Sequence, residues 1–380
     1  MEPDELPREC DVAVVGAGIA GAMSALHLAR ARLRVLLVEK SAWPRAKACG
    51  GCLNAAALRA LASSGIELRE GSACTGMRLY CRGRMAHLPL PLGVAISRMR
   101  LDAILVGHAI DAGAHFVPAT RATLEGPTQL GRRVALRNAS TRRVVDAGVV
   151  LDCGGLATRL VPDPGWRIAS RARIGVAATV PGAPAGYRAG IIHMACAAQG
   201  YVGLVRAGNG MTNIAAALDP AWCHATGGPA AAIMEILRAE RLPAIENLHR
   251  LGWRGTPRLT RTRRRLGAER RVLIVGDATG YVEPFTGEGM AWALADAAAV
   301  LPFARAAVAC WTDDIAERWG ARHRRMLRAR QHVCRGVSGL LRHPSLLAAA
   351  LPWLDRAPVA SAPLLAWLNR DLQGTIVVTE

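Results

Sequence analysis

The sequence predicts an α/β protein with a parallel sheet and flanking helices, an inserted antiparallel sheet, and C-terminal helices. Three observations support this fold class. An apolar run, 12–15, leads into a glycine pattern and a helical segment, and a similar apolar run returns at 272–275. Short alternating runs of strand type, among them 201–205 and 211–217, lie between these two segments. Residues 311–380 then have helical periodicity interrupted by prolines.

The first apolar run opens a Rossmann-like nucleotide-binding unit. In its GxGxxG pattern, Gly16 makes the tight turn, Gly18 lets the backbone approach a pyrophosphate, and Gly21 allows close packing of helix on strand. The helix N-terminus offers free N–H groups to the anion. A second strand, 34–38, ends in Glu39, which is placed to accept hydrogen bonds from the ribose hydroxyls of an adenosine. The pattern predicts dinucleotide binding, and the alternative is a turn in a nucleotide-free α/β protein.

The later apolar strand distinguishes FAD from NAD. It runs into Gly276 and Asp277. A long Ala-rich helix follows and is opened by Gly287, Gly289 and Met290. An NAD-binding domain needs no such return of the chain, so these residues predict FAD. The dipole and free N–H groups at this helix N-terminus would face the negative charge of reduced flavin.

Further blocks resemble the para-hydroxybenzoate hydroxylase superfamily of flavoproteins and, within it, the geranylgeranyl reductase-like branch. Residues 43–53 are similar to that branch's stretch of Pro-Arg, Lys and Cys-Gly-Gly. Residues 97–105 look like the family's Arg-x-x-Leu-Asp-x-x-Leu helix. Residues 151–159 resemble the family's Asp-Gly motif, with Cys153 inserted after Asp152.

The resemblance implies a discontinuous FAD-binding domain of the GR2 type. Within it, Lys47, Arg98 and Asp277 are expected to join the glycines in binding FAD. Arg98 would neutralise phosphate or fix the flavin edge, and Asp277 would bond the ribityl or pyrophosphate region. The expected pieces are 10–75, 97–165 and 259–310 for the FAD-binding domain, 76–96 and 166–258 for the substrate domain, and 311–380 for a C-terminal helical cap.

The Cys-Gly-Gly segment supplies the catalytic candidates Cys49, Gly50 and Gly51. Cys49 and Cys52 form a CxxC pair that could act in redox chemistry beside the flavin, and the alternative is that the glycines matter and the thiols fill space. The ten cysteines are otherwise scattered, which is typical of reduced thiols in a cytosolic protein. No second CxxC or ordered His pair completes a zinc site, so no metal is expected.

The predicted substrate-pocket residues are Tyr201, Gly203 and Val205. They resemble the prenyl reductases' Tyr-x-Trp-x-Phe-Pro strip, with Gly203 in place of Trp and Val205 in place of Phe. The smaller side chains would widen the cavity for a bulkier or ring-bearing substrate, whereas the alternative is an ordinary core strand. Asn209-Gly210 predicts the turn of a hairpin here.

The chain is strongly basic, with a formal net charge of +19. Lys40 and Lys47 are its two lysines, and arginines cluster in 258–271 and 318–335. These clusters fit an acidic carrier protein or an anionic membrane surface, or they form a merely solvated surface. Neither an aromatic stacking platform nor a nucleic-acid motif accompanies them, so nucleic acid is not an expected partner.

The sequence predicts a cytoplasmic protein, with peripheral attachment to a membrane as the alternative. Residues 1–9 are acidic and lack an apolar signal region. The most apolar stretches, 290–311 and 345–354, are broken by charges or proline, and the second is about half of the ~20 residues that a span needs. At 380 residues the chain exceeds the usual size of one hydrophobic core, so interleaved domains are expected.

The chemistry is expected to be that of the flavin. The resemblance and the apolar strip at 201–205 predict a reductase that uses NADPH or NADH to saturate a double bond in a lipophilic isoprenoid, alkyl or polyketide-type substrate. One alternative is a monooxygenase that hydroxylates an aromatic or polyketide ring through a flavin C4a-hydroperoxide. Another is an FAD-binding protein without turnover that acts at a membrane or in a complex.

Overall fold

The strands of the protein form three sheets in a computed structural model, and helices pack against them. Asn209, at the predicted hairpin turn, and the last part of the predicted cap, 373–380, lie outside the described residues. The described residues are 6–128, 131–161, 165–182, 184–208, 210–267, 270–283, 285 and 287–372.

The first sheet contains the predicted parallel strands. Its members, numbered like all elements in chain order, are β1 (Glu9–Val15), β2 (Val35–Val38), β6 (His115–Val117), β7 (Arg121–Pro127), β8 (Arg132–Arg137), β9 (Arg142–Asp152) and β17 (Val272–Ile274). Their order is β6-β2-β1-β9-β8-β7, with β17 paired to β9. The pairs among β6, β2, β1, β9 and β17 are parallel, whereas β7, β8 and β9 form an antiparallel extension.

The carboxyl ends of three parallel strands meet at one edge of this sheet. The register pairs both Val15 of β1 and Ile274 of β17 with Asp152 of β9. The loops that follow, which begin near Gly16 and Gly276, are therefore neighbours although they are far apart in the sequence. Ligands of open α/β sheets bind in the crevice at such an edge.

The second sheet is the predicted inserted sheet and is mostly antiparallel. Its members are β3 (Cys52–Leu53), β4 (Ser72–Cys81), β5 (Arg84–Ala95), β11 (Ile174–Pro181), β12 (Ile191–Ala197), β13 (Gly200–Arg206), β14 (Met211–Leu218) and β15 (Arg254–Arg258). The predicted hairpin is confirmed, since β13 and β14 pair antiparallel with Tyr201 opposite Ala217. A small third sheet joins β10 (Trp166–Ile168), β16 (Arg261–Arg263) and β18 (Gly280–Tyr281).

Helices complete the α/β architecture that the sequence predicts. Ser97 and Asn54 cap two of them by accepting backbone N–H bonds, which is the preferred role of these residue types at a helix start. The helices are α1 (Ile19–Arg30), α2 (Ala55–Ser63), α3 (Arg98–Asp111), α4 (Pro220–Ala225), α5 (Pro229–Ala239), α6 (Gly289–Ala299), α7 (Leu301–Ala309), α8 (Asp313–Leu340), α9 (Pro344–Arg356) and α10 (Ala362–Leu368).

The Ala-rich segment that was expected as one long helix is divided into α6 and α7. Pro302 stands in the first turn of α7, where its missing N–H is tolerated. Within the described residues, Gly289–Ala309 is long and apolar enough to cross a membrane by length and composition. However, 61% of its most apolar window is buried, and the segment contributes to the largest apolar core. A helix buried in a protein core can meet the same criteria of length and composition, so these criteria alone do not indicate a membrane span.

Candidate functional site

A cavity of about 1280 Å³ extends from the carboxyl edge of the first sheet along the second sheet. Every predicted cofactor, catalytic and substrate residue lines it except Gly21 and Gly276. These two glycines are buried and serve packing. A Cβ on Gly21 would overlap the carbonyl oxygen of Gly16, and a Cβ on Gly276 would lie 2.6 Å from that of Ala20.

The glycine turn after β1 keeps its backbone free of side chains. Gly16 has a φ of +106°, and a Cβ there would lie 2.5 Å from the carbonyl oxygen of Cys153, so glycine is required. Gly18 is the N-cap residue of α1 and supplies no side-chain cap. The first-turn N–H groups of α1 are therefore left for a ligand, and the helix dipole favours an anion.

Three cationic groups surround the position of Gly18. A Cβ on Gly18 would lie 3.7 Å from Nη2 of Arg45, 3.8 Å from Nη2 of Arg98 and 3.8 Å from Nζ of Lys47. Their charges add to the positive end of the α1 dipole. This potential suits the doubly charged pyrophosphate of a dinucleotide.

Asp102 fixes two of these cations. Its buried carboxylate accepts from Nε and Nη2 of Arg98 at 3.0 and 2.9 Å and from Nη1 of Arg45 at 3.3 Å. Arg98 and Asp102 are four residues apart on α3 and so share one helix face. Burial acts to lower the pKa of Arg98, but Asp102 outweighs it and raises that pKa above the usual value.

Glu39 lies at the end of β2, beside the glycine turn. Its Oε2 accepts from the Ala17 N–H at 3.2 Å and lies 2.9 Å from Nε of Arg45, and its Oε1 accepts from the Ser41 N–H at 3.0 Å. Burial acts to raise the pKa of Glu39, but Arg45 and the two N–H groups hold it below the usual value. The carboxylate therefore lines the cavity as an ionised acceptor.

Asp277 and the start of α6 line the same half of the cavity. Asp277 Oδ2 lies 3.8 Å from Nζ of Lys47, whose side chain is 35% exposed. The partial burial of this side chain and the neighbouring Arg98 guanidinium lower the pKa of Lys47. Gly287 has a φ of +69°, and a Cβ there would meet nothing within 4 Å among the described residues, so the space beside it is open. Gly289 also lines the cavity and is followed by Met290 at the start of α6.

Buried hydrogen bonds brace the Gly276 loop from behind. The Gly276 N–H donates to Oδ2 of Asp296 at 3.0 Å, and Oδ1 of Asp296 lies 2.9 Å from Nδ1 of His323. Trp319 donates from Nε1 to the Ile274 carbonyl oxygen at 2.9 Å. Because His323 and Trp319 belong to α8, the C-terminal helices support the Gly276 loop and also line the cavity.

The Cys-Gly-Gly segment lies between the cofactor residues and the second sheet. Asn213 on β14 donates from Nδ2 to the Gly50 carbonyl oxygen at 3.2 Å, and the Gly51 N–H donates to Sγ of Cys49 at 3.4 Å. Gly51 has a φ of +73°, and a Cβ there would lie 2.5 Å from Nδ2 of Asn213. A glycine is therefore required at this position, and the loop conformation is fixed.

The Cys52 thiol donates to the Gly50 carbonyl oxygen at 3.8 Å. The neighbouring Cys74 thiol of β4 and burial raise the pKa of Cys52. Cys74 and Ala95 form a small apolar cluster against which Cys52 packs. All ten cysteines are described, and none of them forms a disulfide bond.

The other half of the cavity is lined mainly by apolar side chains. Tyr201 and Val205 line it from β13. The widening expected at Gly203 is countered by Met194, because a Cβ on Gly203 would lie 2.7 Å from the Met194 sulfur. Further apolar lining comes from the second sheet and the C-terminal helices, including Met77, Leu79, Leu88, Ile192, Leu341, Leu347, Leu354, Leu365 and Leu368.

Most of the charged side chains that line the cavity are basic. Within the described residues, Glu39 and Asp277 are the acidic lining residues, and both belong to the cofactor half. Besides the three cations near Gly18, the basic lining residues are Lys40, Arg121, Arg159 and Arg254. An anionic group on a ligand would be attracted to them.

Tyr201 has a buried hydroxyl with no hydrogen-bond partner in the described part of the chain. The guanidinium carbon of Arg173 lies 5.7 Å from the centre of the Tyr201 ring. The Phe285 ring packs edge-to-face against the Tyr201 ring, and the two ring centres are 5.2 Å apart. Arg173 is held by Glu283, with Nη1 and Oε1 2.8 Å apart. Burial raises the pKa of Tyr201, so the phenol keeps its proton and can donate to an oxygen atom of a ligand.

Asp152, the acid of the altered Asp-Gly motif, does not line the cavity. Its Oδ1 accepts from the Thr158 hydroxyl at 2.7 Å and from the Gly154 N–H at 3.1 Å, and its Oδ2 lies 3.8 Å from Arg263. Cys153 and Gly154 line the cavity instead. Asp152 therefore stabilises the loop that follows it in the chain.

Sequence reasoning missed four residues of the site: Arg45, Asp102, Asn213 and Tyr281. Arg45 and Asp102 stand inside the resembled blocks, and the spacing of Asp102 four residues after Arg98 was a usable signal. Asn213 and Tyr281 carry no local signal, because their contacts depend on how β14 and β18 pack against distant loops.

These residues fit a bound FAD. The open, cation-lined position at Gly18 fits the pyrophosphate, and the ionised Glu39 fits a ribose. The N-terminus of α6 beside Gly287 fits the electron-rich part of a flavin. An α/β sheet with these groups at its carboxyl edge defines a flavin dinucleotide-binding protein.

Residues 9–303 match the family model described as FAD binding domain, and the chain belongs to this family. This family places the chain among FAD-dependent oxidoreductases.

Curated relatives are similar over part of their length. Menaquinone reductase of Mycobacterium tuberculosis is 32% identical over 143 residues, which are 36% of this chain and 32% of the relative. A probable electron transfer flavoprotein-quinone oxidoreductase of Escherichia coli is 32% identical over 166 residues, 40% of this chain and 37% of the relative. The chain thus spans about a third of the length of the curated relatives it matches.

Solved structures share the fold over nearly the whole chain. The p-nitrophenol 4-monooxygenase of Pseudomonas putida superposes with a TM-score of 0.77 and 16% identity, covering 98% of this chain and 100% of the other. A probable FAD-dependent monooxygenase of Pseudomonas aeruginosa superposes with a TM-score of 0.68 and 20% identity, covering 90% and 99%. At these identities the likeness concerns the fold.

Proposed function

We propose that this oxidoreductase reduces a carbon–carbon double bond in a lipophilic substrate with an isoprenoid, alkyl or polyketide-type part, with NADPH or NADH as reductant. The observation that carries the proposal is the continuity of the cofactor half and the apolar half in one cavity of about 1280 Å³. A long apolar chain can lie along β13 with one end beside Gly50. The partial similarity to menaquinone reductase, and the resemblance to the geranylgeranyl reductase-like branch, support the same class of substrate.

Saturation of a double bond requires a hydride and a proton. FAD, when bound and reduced, supplies the hydride. We assign the proton to the Cys-Gly-Gly segment, where Cys49 lines the cavity and the Gly51 N–H orients its thiol. Tyr281 lines the same region, and burial raises the pKa of its phenol well above the usual value. Tyr281 therefore keeps its proton and can donate a hydrogen bond to the part of the substrate that lies nearest to Cys49.

A monooxygenase is the second proposal. It is supported by the fold shared with p-nitrophenol 4-monooxygenase and by the unpartnered phenol of Tyr201, which could bond an oxygen atom on an aromatic substrate. In this case the apolar walls would exclude water during the reaction with oxygen.

Oxidation of NADPH or NADH, followed with and without oxygen, distinguishes the two proposals. The probes are geranylgeranyl diphosphate, a menaquinone and 4-nitrophenol. A double-bond reductase oxidises the nicotinamide anaerobically with geranylgeranyl diphosphate, or gives a menaquinone product with two added hydrogens in the isoprenoid chain and not only in the quinone ring. Stimulation by the phenol alone, together with matching oxygen uptake, contradicts the reductase and supports the monooxygenase.

A further inference from the structure

The C-terminal cap presents an apolar outer surface, here called the cap surface. Its members Leu346, Trp353, Val359 and Leu364 are 62%, 61%, 78% and 42% exposed. Leu346 and Trp353 are seven positions apart on α9 and therefore share one face of the helix. The opposite face of α9 is buried through Leu351 and its neighbours. The exposed apolar side chains are thus additional to those that the fold needs.

Few charges interrupt the cap surface. Residues 344–368 contain two charged side chains, Asp355 and Arg356. The Asp355 carboxylate already accepts from the His87 N–H of β5 at 2.8 Å. A stretch with this composition on the outside of a globular protein normally marks a binding surface.

Exposed cations border the cap surface. Arg82 bonds the hydroxyl of Ser345, and Arg84 donates to the Ala348 carbonyl oxygen at 3.2 Å, so both guanidinium groups lie beside α9. Arg356 lies at the C-terminal end of the same helix. An apolar centre with an arginine border is complementary to a surface that is apolar inside and anionic at its interface.

The cap surface is continuous with the cavity. Leu364 is exposed and also lines the cavity, as does its neighbour Ala360. Leu354 lines the cavity from α9, and Leu365 and Leu368 line it from α10. An apolar path therefore leads from the outside of the cap to the substrate half of the cavity.

We propose that the cap surface docks on an anionic phospholipid bilayer, from which a lipid-dissolved substrate enters the cavity past α10. Trp353 would lie at the level of the head groups, where tryptophan is favoured, and the arginines would bind anionic head groups. The net charge of +19 adds long-range attraction to such a membrane. The purpose of docking rests on the proposed lipophilic substrate, whereas docking itself is measured without any substrate.

The test is sedimentation of the full-length, FAD-loaded protein with vesicles. Vesicles of phosphatidylcholine alone are compared with vesicles that also contain phosphatidylglycerol. We expect binding to the anionic vesicles, and at least tenfold weaker binding for the double variant Trp353→Ser/Val359→Ser. Met234→Ser, which removes a 44% exposed side chain on α5, is the matched control and should bind within twofold of the wild type. Brominated lipids should quench tryptophan fluorescence less in Trp353→Phe than in the wild type.

Three results would overturn the proposal. Equal vesicle binding by the wild type and the double variant would show that the cap surface is not used. Loss of binding in Arg324→Glu/Arg325→Glu, without loss in the cap variant, would assign the attraction to α8. A wild-type dimer that dissociates in the cap variant, with no vesicle binding by either, would identify the occupant as a second copy. Reduction of a detergent-dissolved probe is measured separately, so the proposed function can stand if docking fails.

Discussion

Three cations around Gly18 are each paired with a carboxylate, and this pairing determines what the site can bind. Asp102 holds Arg98 and Arg45, Glu39 also holds Arg45, and Asp277 lies near Lys47. Buried ion pairs add little net stability, but the loss of one partner leaves a buried charge uncompensated. The cations are therefore held in place before a pyrophosphate arrives, which lowers the cost of ordering them on binding.

Removal of the Glu39 carboxylate should weaken FAD binding. In Glu39→Ala we expect a loss of about 2–4 kcal/mol of FAD affinity, since charge-assisted hydrogen bonds contribute ~1.5–3 kcal/mol each and water replaces part of them. The purified variant should lose its yellow colour on dilution, as measured by absorbance after gel filtration. Glu67→Ala, at an 82% exposed side chain, is the control and should keep its FAD. Wild-type protein that is colourless and cannot be reconstituted with FAD would contradict the assignment.

The two thiols of the CxxC pair should differ in importance. Both thiols line the cavity, but Cys49 accepts from the Gly51 N–H, whereas Cys52 donates to the Gly50 carbonyl oxygen and packs against Cys74. We expect Cys52→Ser to keep its flavin and most of its turnover, and Cys49→Ser to keep its flavin but lose turnover about tenfold or more, since proton transfer typically contributes ~100-fold or more. An equal loss of turnover in both variants would instead indicate a dithiol mechanism.

Among the secondary-structure elements, the strands that lead into the glycine motifs and the helices that begin there were predictable from the sequence. The contacts that support the glycine loops from other elements were not. β2, β17 and the second half of β1, 12–15, are continuous apolar runs because both faces of a parallel sheet are buried. The helical period of α8 was visible in the sequence, but its contact with the Gly276 loop through His323 and Trp319 was not. Such contacts join residues that are distant in sequence, and no local pattern encodes them.

His193 should make the second sheet sensitive to acid. It lies on β12, where it is 1% exposed; its Nδ1 lies 3.1 Å from the Tyr80 hydroxyl, and its Nε2 accepts from the Arg188 N–H at 3.1 Å. Burial, Arg78 and Arg188 lower the pKa of His193 to about 4.

The imidazole is therefore neutral in the folded protein, while in the unfolded chain it gains a proton near pH 6.5. Its contribution to stability is fully present above that pH and is lost as the pH falls towards 4. The loss should be on the order of 3 kcal/mol, since one pKa unit corresponds to about 1.4 kcal/mol. Denaturant unfolding of the wild type between pH 7 and pH 4 should show a steeper decline than that of His193→Gln. His249→Gln, at an exposed histidine, is the control and should follow the wild type. Parallel curves for the wild type and His193→Gln would contradict this assignment.

In the whole molecule, one cavity joins a cofactor edge, an antiparallel sheet and a C-terminal cap. The α/β class and the FAD site could be predicted because glycines, apolar runs and terminal acids are local features. The cavity walls could not, since Met194 beside Gly203 and Leu364 on α10 are placed by packing between separate segments. Arg263 and the arginines of α8 similarly meet at a second cavity of about 890 Å³, although their clusters are separate in sequence.

An anaerobic single turnover distinguishes double-bond reduction from oxygenation. The enzyme is reduced with dithionite and mixed under argon with geranylgeranyl diphosphate or with a menaquinone, and the flavin absorbance and the product mass are recorded. A double-bond reductase restores the oxidised flavin spectrum without oxygen when a lipid probe is added. The product then gains two hydrogens in its isoprenoid chain, which distinguishes saturation from reduction of a quinone ring. Restoration of the spectrum only after oxygen is admitted, with a product that has gained one oxygen atom, would contradict the reductase and establish a monooxygenase.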